Sequence, residues 1–154
     1  GTPVVVQLMI TYYIIFASSR NSLAIAMLAF GINSGAYVAE TIRSGIMAVD
    51  SGQMEAGRAL GFSKLKTMQY IILPQAFKNI LPAIGNEMIA LLKETSVAGY
   101  VAVVDITKAA VQIKNTTYDH INPIILIALV YLVIVMLLTK LLGIFERRLR
   151  KSER

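Results

Sequence analysis

Residues 55–76 read EAGRALGFSKLKTMQYIILPQA. The stretch is polar, basic and interrupted by glycine, and hydrophobic segments lie on both sides of it. Its spacing predicts two short helices, one from about Gln53 to Leu60 and one from about Ser63 to Leu73, the second closed by Leu73-Pro74. Gly61 separates them, and Ser63 is placed to cap the second. Leu65, Met68 and Ile72 recur at helical spacing on one side, with Lys64, Lys66 and Gln69 elsewhere. Asp50-Ser51-Gly52 forms a turn with capping residues ahead of the pair. A solvated loop needs neither amphipathic helices nor a glycine hinge. A few apolar anchors, a charged rim and a rigid connection suit a helix offered to a groove on another protein. An interfacial helix lying on lipid is the competing account.

Composition says what surrounds this element. Hydrophobic residues make up 56% of the 154 and charged residues 16%, well under the roughly one quarter charged that is usual in soluble domains. The apolar residues come in blocks, the pattern of membrane spans in a single domain. The chain has no cysteine, which excludes disulfides, thiolate metal sites and cysteine nucleophiles. One histidine, His120, argues against a histidine-built metal centre. The net charge is +6, but the basic residues cluster beside apolar spans. Positive-inside topology explains that better than nucleic acid, which is not an expected partner. Arg147, Arg148, Arg150, Lys151 and Arg154 stand against Glu153 in the tail, a stop-transfer anchor at anionic lipid. The chain opens at Gly1-Thr2-Pro3 on the edge of an apolar run, with no start methionine or signal peptide. The expectation is a fragment whose earlier segments are missing.

Four spans are expected, at about 4–17, 23–46, 74–92 and 121–145. The first covers roughly 21 Å at 1.5 Å per residue, short for a bilayer core of about 30 Å. The second carries Gly31, Asn33, Ser34, Gly35 and Ala36, small residues that suit close helix packing. It turns polar at Glu40 and Arg43, as a helix leaving the membrane would. The third contains Pro82 and Gly85. The fourth has no charge from Ile124 to Leu138, and Lys140 can snorkel to the interface. Between the last two, Thr107 to Ile113 fits a short amphipathic helix outside the membrane. The connection from Arg43 to Lys78 holds Arg43, Arg58, Lys64, Lys66 and Lys78, whereas residues 98–122 hold only Lys108 and Lys114. Loop 50–73 and tail 146–154 are therefore expected on the cytoplasmic side.

Glu55-Ala56-Gly57, then Gly61, then Ile71-Ile72-Leu73-Pro74 resembles the EAA motif of permease subunits in ABC importers. The third position is Gly57 where the motif has alanine, a small-for-small departure read as harmless. Gly1-Thr2-Pro3 with Val6-Gln7-Leu8, Asn33-Ser34-Gly35-Ala36-Tyr37, Leu73-Pro74-Gln75-Ala76, Gly85-Asn86-Glu87 and Leu91-Leu92-Lys93-Glu94-Thr95-Ser96 are similar, in the same order, to the polar amino-acid branch. The resemblance covers essentially the whole chain. It implies an all-α membrane protein, a multi-span helical bundle with a short cytoplasmic coupling-helix loop. It implies that Glu55, Ala56, Gly57, Arg58, Gly61, Leu73 and Pro74 form the coupling element that docks on a separate ATPase subunit. It also implies an extracytoplasmic solute-binding protein, a second permease subunit, identical or related, and a bacterial inner-membrane location with a cytoplasmic C-terminus. Five spans are usual in that branch, so the first and part of the second would be absent here.

Candidate path residues come from the apolar segments. Glu87 is an intramembrane acid, costly unless it faces the bundle interior. It fits a cationic group of a substrate, or an ion pair with Lys93 or Arg43. Lys93 and Glu94 fit an interface pair closing the third span, and the resemblance raises them as path residues. The Asn33 amide suits either substrate or helix–helix glue. Pro82 and Gly85 would soften a pathway helix or mark a packing kink.

The reading that follows is a transmembrane permease subunit of an ATP-driven importer that forms the translocation path for a small polar amino acid. It has no catalytic residue, metal or cofactor of its own. No phosphate-cradling GxxxxGK[ST] loop is present, so ATP belongs to the partner subunit. A membrane anchor or assembly protein recruiting a cytoplasmic partner through 50–73 is the alternative. An intramembrane enzyme using Glu87 with Asp105 or His120 has no nucleophile–base pair or metal-ligand set to support it.

Overall fold

The computed structural model describes residues Thr2 to Lys151, with side chains through Leu149. Gly1 of the expected opening motif, and Glu153 and Arg154 of the expected basic tail, lie outside the described residues. Every regular element among the described residues is helical: α1 (Val4–Ile10, continued by a π turn, Thr11–Ile15), α2 (Ser22–Met47), α3 (Gly52–Ala59), α4 (Lys64–Thr67, continued by a π turn, Met68–Ile72), α5 (Leu73–Glu94), a 3₁₀ segment (Thr95–Val101), α6 (Ile106–Thr117) and α7 (Asn122–Lys151). Two helices, Ser22–Met47 and Asn122–Leu149, are long and apolar enough to cross a membrane.

The chain divides into two compact units. One comprises the residues up to Gly35 together with Met88–Thr139. Its core is a cluster of Leu8, Ala26, Ala29, Phe30, Ala98 and Val101, with Val4, Tyr12, Leu91, Val97 and Val103 packed against it. Three alanines in that set let backbones approach closely around Leu8, Phe30 and Val101. Asn21 starts α2, its Oδ1 accepting the Ala24 N–H at 3.0 Å. Asp105 caps α6. α6 begins one residue before the expected amphipathic stretch and outlasts it, ending at Tyr118 in a left-handed conformation.

Asp119 bridges α6 and α7. Its Oδ1 accepts the N–H groups of Ile121 and Asn122, each at 3.1 Å, and its Oδ2 accepts the Asn122 amide at 2.7 Å. The Asn122 side chain first, then the two backbone N–H groups, hold the carboxyl below its ordinary value. A carboxyl depressed in the fold lends stability above its unfolded pKa, near 3.9, and loses it as pH falls through the lower folded value. Protection of the amides of residues 121–125, taken relative to their intrinsic exchange, is therefore expected to hold down to about pH 4 and to fall below it. In Asp119→Ala that protection should be low already at neutral pH and show no such step.

The other unit comprises Ala36–Glu87 and the residues from Lys140 on. Ile72, which ends the π turn, and Ala76 and Ile80 of α5 are buried along one face, spaced by four. Gly45 of α2 meets that face so closely that an added Cβ would overlap Ile80. Gly85 meets Leu142 of α7 in the same manner. Gly85 is thus a packing glycine. Nor does Pro82 break the helix, since α5 runs unbroken from Leu73 to Glu94. The Asn86 amide donates to the Pro82 carbonyl at 3.2 Å, adding a side-chain bond next to the proline. Of the two accounts of Pro82 and Gly85, this close packing favours the second.

Candidate functional site

The loop that opened the sequence is built as two helices meeting at a bend. Gly61 has φ +85°, a left-handed conformation that glycine adopts without a Cβ penalty. The Gly61 N–H reaches the Arg58 carbonyl at 3.0 Å and the Phe62 N–H reaches that of Gly57 at 3.1 Å, so the end of α3 has its carbonyls satisfied. Ser63 then caps α4, its Oγ accepting the Lys66 N–H at 3.3 Å, as expected.

Two expectations for this loop change. Leu73-Pro74 does not close the second helix: the chain continues through the π turn Met68–Ile72 into α5. Proline has no N–H for the ladder and its ring crowds the preceding turn, so the wider π turn just before it lets the helix pass. The apolar face is also different. Ile72 is buried at 6% exposure while Leu65 is 76% exposed, so the two point to different surroundings. Leu65 instead shares the exposed surface with Leu60 and Phe62, which flank the glycine bend.

What holds α3 to α4 is a contact the motif alone does not reveal. Gly57 is buried against Thr67, which is fully buried. A Cβ on Gly57 would overlap Thr67 Cγ2 and lie 2.9 Å from its Oγ1 and 3.1 Å from Ile71 Cδ1. Thr67 cannot yield easily, because its hydroxyl donates to the Ser63 carbonyl at 3.1 Å and it is β-branched. The small-for-small departure at Gly57 is therefore tied to a neighbour ten positions on. Glu55, Ala56 and Arg58 are exposed, and Leu73 is partly buried beside exposed Pro74.

The path candidates separate. Asn33 and Glu94 come together: the buried Asn33 amide donates to Glu94 Oε2 at 3.5 Å, across 61 positions of sequence. The Asn33 amide is a neutral donor and brings no cation to this carboxylate. Lys93 is exposed and makes no salt bridge with Glu94. Glu87, in the other unit, is half-buried and forms no salt bridge with Arg43 of that unit. Arg43 is taken by Glu40, three residues before it on α2, and also reaches the Met47 sulfur. Asp105, considered for chemistry, is a helix cap. No group of three or more His, Cys, Asp or Glu residues able to hold a metal occurs among the described residues. Thr67, Leu60 and Phe62 were missed from the sequence; two apolar residues flanking a glycine in a basic loop was the available signal.

Comparison with known proteins places this geometry. The family model described as binding-protein-dependent transport system inner membrane component matches residues 1–151. The chain is 42% identical over 156 residues to the arginine transport system permease protein ArtQ of Bacillus subtilis (strain 168), covering 99% of this chain and 71% of that one. It is 42% identical over 153 residues to the putative glutamine transport system permease protein GlnP of Rickettsia bellii (strain RML369-C), covering 97% and 70%. A solved structure, described as a crystal structure of an amino acid ABC transporter with histidines, matches with a TM-score of 0.91 and 46% identity over 96% of this chain and 70% of that one. Agreement in both sequence and backbone over nearly the whole chain makes it an all-α member of the family of inner-membrane components of binding-protein-dependent transport systems.

Proposed function

We propose that this chain is the transmembrane permease subunit of an ATP-driven importer of polar amino acids, forming the translocation path and coupling to a separate ATPase chain. The observation that carries the reading is the loop bent at Gly61, which presents Leu60, Phe62 and Leu65 to an outside partner. The names of its relatives, transporters of arginine, glutamine and cystine, support the substrate class. The chain is a transport subunit and not an enzyme. ATP is bound and hydrolysed by the partner, to which Glu55, Ala56, Gly57, Arg58, Gly61, Leu73 and Pro74 belong as the coupling element. An extracytoplasmic binding protein delivers the solute, and two permease subunits complete the pore. The chain sits in the bacterial inner membrane with spans near 4–17, 23–46, 74–92 and 121–145, and with loop 50–73 and the basic tail in the cytoplasm. Asn33, Glu87, Lys93 and Glu94 contribute to the path. Of these, Glu94 is the strongest candidate, because it meets the buried Asn33 amide across 61 positions of sequence. No observation favours the anchor reading.

The test is ATP-driven uptake of labelled arginine, glutamine, glutamate and histidine into proteoliposomes holding the full-length permease, its ATPase and its binding protein. Glu94→Gln is expected to cut uptake several-fold, the scale of one charge-assisted hydrogen bond. Glu87→Gln tests the second acid in the same assay. No ATP-driven uptake of any of the four by an assembled complex would point to a different solute first and to the anchor reading second.

A further inference from the structure

The 3₁₀ segment Thr95–Val101 follows Glu94 directly and is seven residues long. Runs of 3₁₀ helix beyond three or four residues are uncommon, because their hydrogen-bond geometry is poorer than that of an α-helix. This one ends at Ala102 with φ +63°, a left-handed conformation disfavoured for a residue with a Cβ. Packing does not hold the whole segment. Ala98 and Val101 are buried in the core, but Thr95 and Ala98 also line a cavity of about 570 Å³, with Leu92, Asp105 and Tyr131 among its walls. On that side the segment faces an open cleft and not packed side chains.

Polar contacts take up the task at Gly99. Asp105 Oδ2 accepts the Gly99 N–H at 3.3 Å, while Lys108 Nζ donates to the Gly99 carbonyl at 3.0 Å. Both faces of one residue's backbone are thus clasped by two side chains of the α6 start. The Lys108 stem lies along the glycine: a Cβ there would sit 3.1 Å from Lys108 Cβ and 3.3 Å from its Cδ. Asp105 Oδ1 accepts the Lys108 N–H, locking cap and clasp together. On the next residue, the Tyr13 hydroxyl donates to the Tyr100 carbonyl at 2.9 Å.

We propose that Asp105 and Lys108 are positioning residues for solute transport: their clasp on Gly99 keeps Thr95–Val101 in its 3₁₀ form and so sets where Glu94 stands against Asn33. Seven residues rewound from 3₁₀ to α rise would shorten by about 3.5 Å, more than the Asn33–Glu94 contact tolerates. The inference rests on the reading of Glu94 as a path residue.

Lys108→Met keeps the stem and removes the donor. In the proteoliposome assay, with whichever of the four labelled amino acids the wild type accumulates, it is expected to raise KM about three- to tenfold with Vmax within about twofold. Lys108→Arg keeps a cationic donor and is expected to restore KM to within about twofold. Hydrogen exchange on the assembled complex should quicken at residues 95–101 in Lys108→Met and not in Lys108→Arg. Asp105→Asn keeps a cap oxygen but loses the charged acceptor, and supplies the same two readouts should Lys108→Met fail to accumulate. Faster exchange with unchanged KM overturns the proposal, since the clasp then holds the segment without positioning the site. Unchanged exchange and KM overturn it as well. An inert Glu94→Gln beside an impaired Lys108→Met overturns the Glu94 reading and this route with it. An impaired Glu94→Gln beside an inert Lys108→Met overturns the clasp alone.

Discussion

Gly61→Asp is expected to abolish ATP-driven uptake while leaving normal amounts of permease in the membrane. Nothing lies within 4 Å of where its Cβ would stand, so the substitution meets no steric wall. Aspartate is also among the residues that visit the left-handed region most readily. The backbone at φ +85° therefore survives at modest cost. What changes is the surface: a carboxylate appears between Leu60 and Phe62, both exposed. A buried apolar contact with the ATPase would have to desolvate that charge, at a cost of several kcal/mol. Gly61→Asn provides the backbone control, since it shares the tolerance and lacks the charge. Gly61→Val provides the opposite control, a β-branched side chain at a positive φ, expected to cost about 1–2 kcal/mol or more of loop stability. Co-purification of the ATPase separates the cases. Loss in Gly61→Asp with retention in Gly61→Asn assigns the effect to docking. Equal loss in both assigns it to the bend. Normal uptake by both Gly61→Asp and Gly61→Val would remove the loop from coupling altogether.

Gly57→Ala is expected to impair the same loop from the inside. The added Cβ overlaps the methyl of Thr67 and approaches Ile71, and overpacking of this kind costs about 1–3 kcal/mol. Thr67 is fully buried and its hydroxyl is held by Ser63, so it cannot swing away without leaving that bond. Thr67→Ala removes the obstruction. The double variant should recover most of the loss in ATPase binding and in proteolytic resistance of residues 52–72. Coupling between the two substitutions should be on the order of 1–2 kcal/mol. Additive effects would mean that α3 and α4 separate in the working transporter.

Much of the loop is local chemistry and is legible as such. Gly61 breaks two helical patterns, and the structure puts it at a positive φ. Ser63 precedes a helical run, and its oxygen caps that run. Features that depend on a distant partner are not legible in this way. Pro74 reads as a stop, yet a π turn placed just before it carries the helix through. Pro82 and Gly85 read equally as a soft point or a packing site, and it takes Leu142, far along the chain, to favour packing at Gly85. Leu65 and Ile72 share a stripe on an ideal helix, but the π turn between them adds a residue to the turn and shifts the face.

The all-helical class, the apolar blocks, the hinge glycine, the cap and the family motif were legible along the chain, because each is carried by one continuous stretch of residues. Folding was needed to show that Asn33 meets Glu94, that Thr67 leaves no room for a Cβ at Gly57, and that Asp105 and Lys108 grip Gly99. Each of these is an encounter between segments that the periodicity of either one leaves unspecified. A side chain's neighbours across a helix interface are set by packing, and packing is a property of the assembled pair.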